Sequence, residues 1–556
     1  MIALVAGLVA AAAIVSGCSP KKADTSGGTG AKVAKGGTIS FFITEPAAID
    51  PYNAQESEGT QVTQSIFDSL TVIDSKTGKV LPAAAESWTS NTDGSVWTFK
   101  LRAGAKFQNG APVTAKDFVF AWNRIAESSF KNAKDPSQIS YHLAPVKGFD
   151  AAQTKGTPLE GLKAVDDSTF QVTLSQSFAD FPYVAAHPGL APVLQTLVEG
   201  GVDYNGAKVP FADMPVGNGP FKMSEPWKHD QYVKVVANAD YYGTKANVDG
   251  VDFKIFKDVD TAYREFQAGT LDFTSIADGQ IESAKSAYGV SADGYTVEPG
   301  KGVLTGPEAA IYYFPLNNTK APFNNVKLRK AVSWAINRQA IADTVYEGTR
   351  KPANSFLPPG IPGYENNQWP DSNYDVAKAK ALLAEAGYPG GKGLGSIKIN
   401  YNVGAGHDKV VELIQSDLKA IGIATTSEVL EFPQHIKKLT AGDYQMARYG
   451  WIADYPIADN FTFAMFNSKS ADNASKYKNL AMDAAMVKAR ATTDEAARVA
   501  MYAQIQKTIG ADMPVIPIVY YAHRHVGSNR LNGFVYDNQG LAHFENAWLT
   551  NGGASK

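Results

Sequence analysis

Apolar residues recur along this chain with two periods. Trp97, Phe99 and Leu101 alternate with Thr98 and Lys100, as a strand with one buried face requires. Phe170, Val172 and Leu174 alternate in the same way in a strand expected over 165–174. Further strands are predicted at 39–43, 251–255, 271–273, 428–432 and 514–521, and a hairpin at 70–81 turns at Lys76, Thr77 and Gly78. Elsewhere the period is helical. Thr114 to Asp117 reads as a capping box ahead of Phe118, Ala121 and Trp122. Leu328, Ala331, Val332 and Ala335 share one helical face behind Pro322 and Phe323. A short helix is expected over 263–269 and a longer one over 375–386, closed by Gly387 and Pro389. Gly406 and His407 open another helix, with Val410, Ile414 and Leu418 inward and Gly422 at its end. A helix from Pro433 and a last long helix, capped at 492–495 and running to Gly510, complete the set. Strands alternating with helices imply an α/β fold. No internal repeat of 20–50 residues is present.

The N-terminus has a different pattern. Residues 2–15 are almost wholly apolar and precede Ser16, Gly17 and Cys18. The run is too short for a membrane span and suits a signal-peptide core. Val15-Ser16-Gly17-Cys18 resembles a bacterial lipobox, which makes Cys18 a candidate lipidation site. A lone cysteine is otherwise usually a buried apolar residue, but its place directly behind the apolar run favours an anchor. No Lys or Arg precedes the run, so the true start is expected upstream. Residues 19–37 are polar and glycine-rich and read as a flexible tether.

Composition narrows the function classes. The chain has 556 residues, 44% of them hydrophobic and 19% charged, enough for several soluble, cored domains. A net charge of −3 gives no basic excess for nucleic acid. Enzyme motifs fail on inspection. There is no Gly-x-Ser-x-Gly and no His-Glu-x-x-His. The interval from Gly294 to Gly300 and Lys301 is one residue too long for a phosphate loop. In Gly217-Asn218-Gly219 the dinucleotide pattern breaks at Lys222, and Pro220 removes a donor. His523 and His525 fall on one face but lack a carboxylate or Cys to complete a metal set, and read as a solvated strand end. We therefore expect no enzyme, no cofactor and no metal.

One segment concentrates candidate chemistry: Arg448, Tyr449, Gly450, Trp451, Ile452, Ala453, Asp454 and Tyr455. Arg448 and Asp454 are six residues apart, so on one strand both would leave the same face. Such a face suits a ligand carrying both signs. Trp451 adds a stiff apolar surface, and Gly450 lets a ligand's backbone come close. The plainer alternative is that the two charges are ordinary loop residues, capping a turn or pairing with neighbours.

Arg-x-Gly-Trp-x-Ala-Asp-Tyr resembles the ligand-binding segment of the oligopeptide-binding proteins, the substrate-binding subunits of peptide ABC importers within the peptide/nickel-binding solute receptors (family 5). Other blocks share the resemblance: Ala85-Glu86-Ser87-Trp88 with Phe99, Leu101, Arg102 and Gly104; Gly217 to Phe221; Tyr241-Tyr242-Gly243; Pro322-Phe323; and the late strand ending Tyr520-Tyr521. It covers essentially everything after residue 38. It implies a two-lobed, periplasmic-binding-protein-like α/β fold of class II type, with an extra domain and the ligand enclosed between lobes. Behind a signal peptide at 1–18 and the tether at 19–37, lobe I would comprise 38–67, 190–309 and 523–550. The extra domain would be 68–189, and lobe II, with the main binding segment, 310–522. The protein would be a monomer, lipid-anchored outside the cytoplasmic membrane, taking oligopeptides to permease subunits and their ATPases.

Residue by residue, the resemblance implies that Asp454 takes a peptide's α-ammonium and that Arg448 takes its carboxylate. Gly450 and Trp451 would line the site, Phe432 would wall a side-chain pocket, Tyr521 would touch the peptide, and His407 would meet the carboxylate of a longer one. A first-turn His is otherwise a cap or an exposed residue, and Tyr521 otherwise packs in the core. The pattern departs in three places. A second carboxylate-binding basic residue falls near Tyr346, Ile452 stands where some members have a cysteine, and an acidic contact is divided between Gln55 and Glu56. Peptide length is thereby left open. Two other readings stand beside this one: a same-fold receptor for nickel, haem, glutathione or a sugar, and a surface sensor, adhesin or chaperone. A ligand without an ammonium gives no reason for Asp454.

Overall fold

The computed structural model describes residues 33–550. The expected signal peptide at 1–18, with Cys18, and most of the expected tether at 19–37 lie outside the described residues. The strand Thr38–Ile43 sits inside a seven-stranded mixed sheet. It runs parallel to Gly250–Ile255 on one side and Phe273–Ser275 on the other. Its alternate residues Ile39, Phe41 and Ile43 are buried. The Phe41 ring lies 5.1 Å from Phe273 and 5.7 Å from Phe253 and Phe544, so one side chain ties three elements together.

A four-stranded antiparallel sheet carries Trp97, Phe99 and Leu101 inward on Val96–Leu101. The helix Ala115–Ala126 lies over it, opened by the capping box of Thr114 and Asp117. Phe118 stacks on Phe170 at 5.7 Å, and Trp122 meets the same ring edge-on at 5.2 Å. The core beneath these two sheets is continuous.

A second large core lies beneath two other sheets. One is antiparallel, ordered Lys351–Pro352, Val515–Ala522, Pro307–Pro315 and Tyr449–Ile452. The other pairs Ser396–Asn402 in parallel with Ala424–Leu430 and Met446–Ala447. The chain passes between the cores twice, on neighbouring strands. It leaves Val303–Leu304 of the first sheet to form Pro307–Pro315, and returns from Val515–Ala522 to His525–Gly527. The result is a two-lobed α/β architecture, as the resemblance implied.

Several expectations are corrected. The strand expected over 165–174 is two antiparallel strands, Leu162–Asp166 and Thr169–Thr173. Asp166 accepts from Ser168 N–H at 2.8 Å, a side-chain turn that apolar alternation does not reveal. The strand expected at 428–432 is Ala424–Leu430, and the one at 271–273 is Phe273–Ser275. Phe432 instead opens the helix Phe432–Ala441, because Pro433 presets helical φ in its first turn. Gly36 and Gly37, expected in the tether, are held to the folded part: Gly36 N–H bonds Asn247 O and Gly37 N–H bonds Asp249, each at 2.8 Å. His523 is not a solvated strand end. It is buried, with Nε2 donating to Asp537 O at 2.7 Å and Nδ1 3.2 Å from Glu308. His525 stacks on Phe273 at 5.5 Å. Among the described residues no cluster of three or more His, Cys, Asp or Glu is placed to hold a metal ion, and no helix is long and apolar enough to cross a membrane.

Candidate functional site

The segment singled out in the sequence switches sheets at Arg448. Met446–Ala447 pairs with Ser396–Asn402, and Tyr449–Ile452 pairs with Pro307–Pro315, placing Gly450 opposite Tyr312. Arg448 is the joint: its N–H donates to Asn400 O and its carbonyl accepts from His435 Nε2, each at 2.7 Å. Asp454 lies in the turn beyond the strand. The single-strand, same-face geometry expected for the pair is therefore not what forms. The two charges stand at the two ends of a short edge strand instead. An edge strand keeps unpaired backbone donors and acceptors on its open side.

The Arg448 guanidinium is half-buried among neutral groups. It donates to Tyr521 Oη at 3.1 Å and to Asn402 Oδ1 at 3.3 Å, and lies 4.8 Å from the centre of the Tyr312 ring. Its Nε is buried without a partner. Among the described residues no carboxylate pairs with it. At the other end, Asp454 accepts from Tyr141 Oη at 2.8 Å and from Asn460 Nδ2 at 3.0 Å. Asn460 Oδ1 in turn accepts from Asp454 N–H at 3.1 Å and Trp451 Nε1 at 2.9 Å, fixing indole and carboxylate together. Burial raises the Asp454 carboxyl above its ordinary range, against hydrogen bonds from Asn460 and Tyr141 and the pull of His187. Asp472 is pushed up to about 6, by burial and by Asp454. Asp454 likewise makes no ion pair among the described residues. Of the plainer reading, only neutral contacts such as Asp454 with Asn460 form, and neither charge meets an opposite one among the described residues. Each is a partly desolvated charge held by neutral groups, a costly state that an oppositely charged partner would relieve.

The remaining predicted residues divide. Tyr521 reaches Arg448 through its hydroxyl. The space above Gly450 Cα belongs to that same hydroxyl: a Cβ there would stand 2.8 Å from Tyr521 Oη. The missing side chain thus admits Tyr521, where the sequence suggested room for a ligand's backbone. His407 is buried rather than exposed, with Nδ1 3.1 Å from Tyr312 Oη. Burial, then the charges of Arg448 and Arg350, push its imidazole down to about 3, so it is neutral. Phe432 is 51% exposed at its helix start and joins none of the ring pairs around Tyr312.

Sequence reasoning missed Tyr141, Asn460, Asp472, Tyr312 and Arg350. Each comes from a separate stretch, and only the fold gathers them. Arg350 carried one available signal. It lies four residues beyond Tyr346, where a basic residue was sought, and its guanidinium is 4.2 Å from the centre of the Tyr346 ring. Beside Asp454 opens a cavity of about 570 Å³, lined also by His187, Asp68, Tyr241 and Glu545. That volume is of small-ligand size.

Comparison with known proteins agrees with this architecture. The model for the middle region of bacterial extracellular solute-binding proteins, family 5, matches residues 79–473. The oligopeptide-binding protein OppA of Bacillus subtilis is 30% identical over 94% of this chain and 95% of its own length. The unliganded open form of MppA, a periplasmic murein tripeptide binding protein, superposes with a TM-score of 0.76 at 26% identity, over 93% of this chain and 98% of that one. Haemophilus influenzae OppA in complex with RPPGFSPFR gives a TM-score of 0.71 at 29% identity, over 93% and 99% of the two chains. With a family match across most of its length and a two-lobed fold shared with such receptors, this chain belongs to the bacterial extracellular solute-binding proteins of family 5.

Proposed function

We propose that this protein is the substrate-binding lipoprotein of an ABC importer, capturing oligopeptides in extended form between its lobes and handing them to the permease. One observation carries the reading: a cation, Arg448, and an anion, Asp454, both without an ion pair among the described residues, stand at opposite ends of an edge strand. A peptide zwitterion has the complementary charges at its ends and a backbone that adds to a sheet edge whatever its side chains. Asp454 receives the α-ammonium, where Tyr141 and Asn460 already orient the carboxylate. Arg448, with Tyr521 beside it, receives the carboxylate. Trp451 and Gly450 form the wall between, His407 supports the Arg448 end through Tyr312, and Phe432 serves a side-chain pocket at the rim. The lobes are 38–67 with 190–309 and 523–550, carrying the extra domain 68–189, and 310–522. They hinge on the two neighbouring crossover strands, the geometry of hinge closure over a ligand. Cys18 carries the lipid that holds the receptor at the outer face of the cytoplasmic membrane.

Peptide-binding names among the relatives support a peptide, with two oligopeptide-binding proteins and a murein tripeptide binding protein, beside a relative named for heme. The test is calorimetry on protein stripped of co-purified ligand, with di- to hexapeptides bearing a free or an acetylated N-terminus. Asp454→Asn keeps the shape and removes the charge. Removing one partner of a desolvated charge pair costs about 3–5 kcal/mol, roughly two to four decades of affinity. Free-amine peptides are expected to lose that much in the variant, and acetylated ones to bind wild type poorly. Equal binding of both peptide forms to wild type refutes the role of Asp454. No binding of any peptide refutes the proposal.

A further inference from the structure

Arg350 brings a second positive charge, without an ion pair among the described residues, to the Arg448 end of the site. It immediately precedes the strand Lys351–Pro352, which pairs with Val515–Ala522 and so delivers it to Tyr521. Its guanidinium lies 4.0 Å from the centre of the Tyr521 ring and 4.2 Å from that of Tyr346. Two aromatic faces hold a cation in place without neutralising it. Arg350 makes no ion pair and no hydrogen bond among the described residues, and it is half-exposed. Of the nearby carboxylates, Glu347 is 3.3 Å from Arg524, and Glu308, 3.2 Å from His523, feels the Arg350 charge without forming an ion pair with it. His407, the remaining basic group, is neutral.

Tyr521 therefore separates two guanidiniums, one on its hydroxyl and one on its face. Beside Arg350, which can only donate to it, the Tyr346 hydroxyl is buried with no acceptor for its own proton among the described residues. Buried polar groups are nearly always satisfied in a complete site, so an orphaned hydroxyl next to an unpaired cation points to an acceptor supplied from outside. A single carboxylate fills one guanidinium fork. Two forks, one ring apart, call for two carboxylates.

We infer that this end of the site is built for a doubly anionic terminus, so that the favoured ligand is a peptide ending in Asp or Glu. Its α-carboxylate meets Arg448 and its side-chain carboxylate meets Arg350, across Tyr521. The inference rests on the peptide-binding reading above and specifies the ligand within it.

The experiment compares Ala-Ala-Glu with Ala-Ala-Gln, and their tetra- and pentapeptide counterparts, by calorimetry on wild type, Arg350→Gln and Arg350→Lys. Glu and Gln differ by one charge at nearly constant shape. In wild type the Glu peptide is expected to bind at least about tenfold tighter than its Gln partner, the scale of one charge-assisted contact. Arg350→Gln should bring that ratio below about threefold and leave the Gln peptide's affinity almost unchanged, while Arg350→Lys should retain part of the preference. A wild-type ratio near one overturns the inference while leaving the peptide receptor intact. So does an Arg350→Gln effect equal on both peptides, because Arg350 would then serve the α-carboxylate alone. If Arg350→Gln does not fold, the wild-type ratio and the Lys variant still decide. Failure of every peptide to bind defeats the underlying reading itself.

Discussion

Asp180 and Arg498 join elements of the two cores through a buried ion pair, and breaking it gives a sharp test of the packing. Both oxygens of Asp180 accept from Arg498, at 2.8 Å from Nε and 2.6 Å from Nη2. The side chains are 7% and 9% exposed. Arg498 also donates from Nη1 to Thr492 O at 2.7 Å, while Asp180 depends on Arg498 for both of its oxygens. Next to the pair, Ala179 N–H donates to Arg490 O at 2.8 Å and the Arg490 guanidinium stands 4.5 Å from the Phe178 ring. Burial pushes the Asp180 carboxyl up to about 6 even though Arg498 pulls it down. Arg498→Met removes that pull and strands the carboxylate, at a cost of about 3–5 kcal/mol. Replacing both partners, with Asp180→Leu added, removes the stranded charge and should return stability to about the wild-type level or above.

The sign of the pH dependence follows. Once orphaned, Asp180 has a folded-state pKa above about 6, against an unfolded value near 3.8. A carboxyl raised on folding binds its proton more tightly in the native state, so stability falls as pH rises from the unfolded value through the folded one. The deficit of Arg498→Met should therefore be larger at pH 7.5 than at pH 5. Urea unfolding followed by tryptophan fluorescence and circular dichroism reads all four proteins of the double-mutant cycle. A single-variant loss below about 1 kcal/mol, in the range of an exposed pair, would refute the buried coupling.

His543 gives an alkaline counterpart. Burial opposes its charge, but Asp537 at 2.7 Å and Glu545 at 3.5 Å raise its imidazole to about 10. A raised His contributes stability below its unfolded pKa of about 6.5 and loses it towards pH 10, up to about 4–5 kcal/mol at about 1.4 per unit. The thermal midpoint of wild type should fall across that window, and that of His543→Gln should fall much less. Gly450→Ala would put a methyl 2.8 Å from Tyr521 Oη and 3.5 Å from Arg448 Nη2. It should displace the tyrosine and weaken peptide binding by about tenfold, one contact's worth, with the melting temperature little changed. In Gly510→Ala the Cβ would meet Trp369 ring atoms at 2.6 Å in a buried site, so this variant should lose about 1–3 kcal/mol in urea unfolding as an overpacked core.

Much of the fold is legible without coordinates because each element carries its own signal. Trp97, Phe99 and Leu101 announce a strand by alternation, and all three are buried. Asp375 and Asn325 cap helices whose apolar spacing is plain in the chain. Errors gather where a side chain competes with periodicity: at Asp166, whose bond to Ser168 turns one expected strand into two, and at Pro433, which converts a strand end into a helix start.

The candidate site divides along the same line. Residues 448–454 stand out in the sequence because cation, glycine, indole and anion are local neighbours. Their geometry was not local. Arg448 leaves one sheet and enters another, so the pair brackets an edge strand rather than sharing its face. Only the tertiary structure brings Tyr141 to Asp454 across 313 positions, or lays Tyr521 between Arg350 and Arg448. The sequence by itself singled out Arg448 and Asp454 as candidate charges, since their types and close spacing are properties of single side chains and a short segment. The tertiary structure decided that neither charge has an opposite partner among the described residues, because pairing depends on what distant chain segments place within a few ångströms.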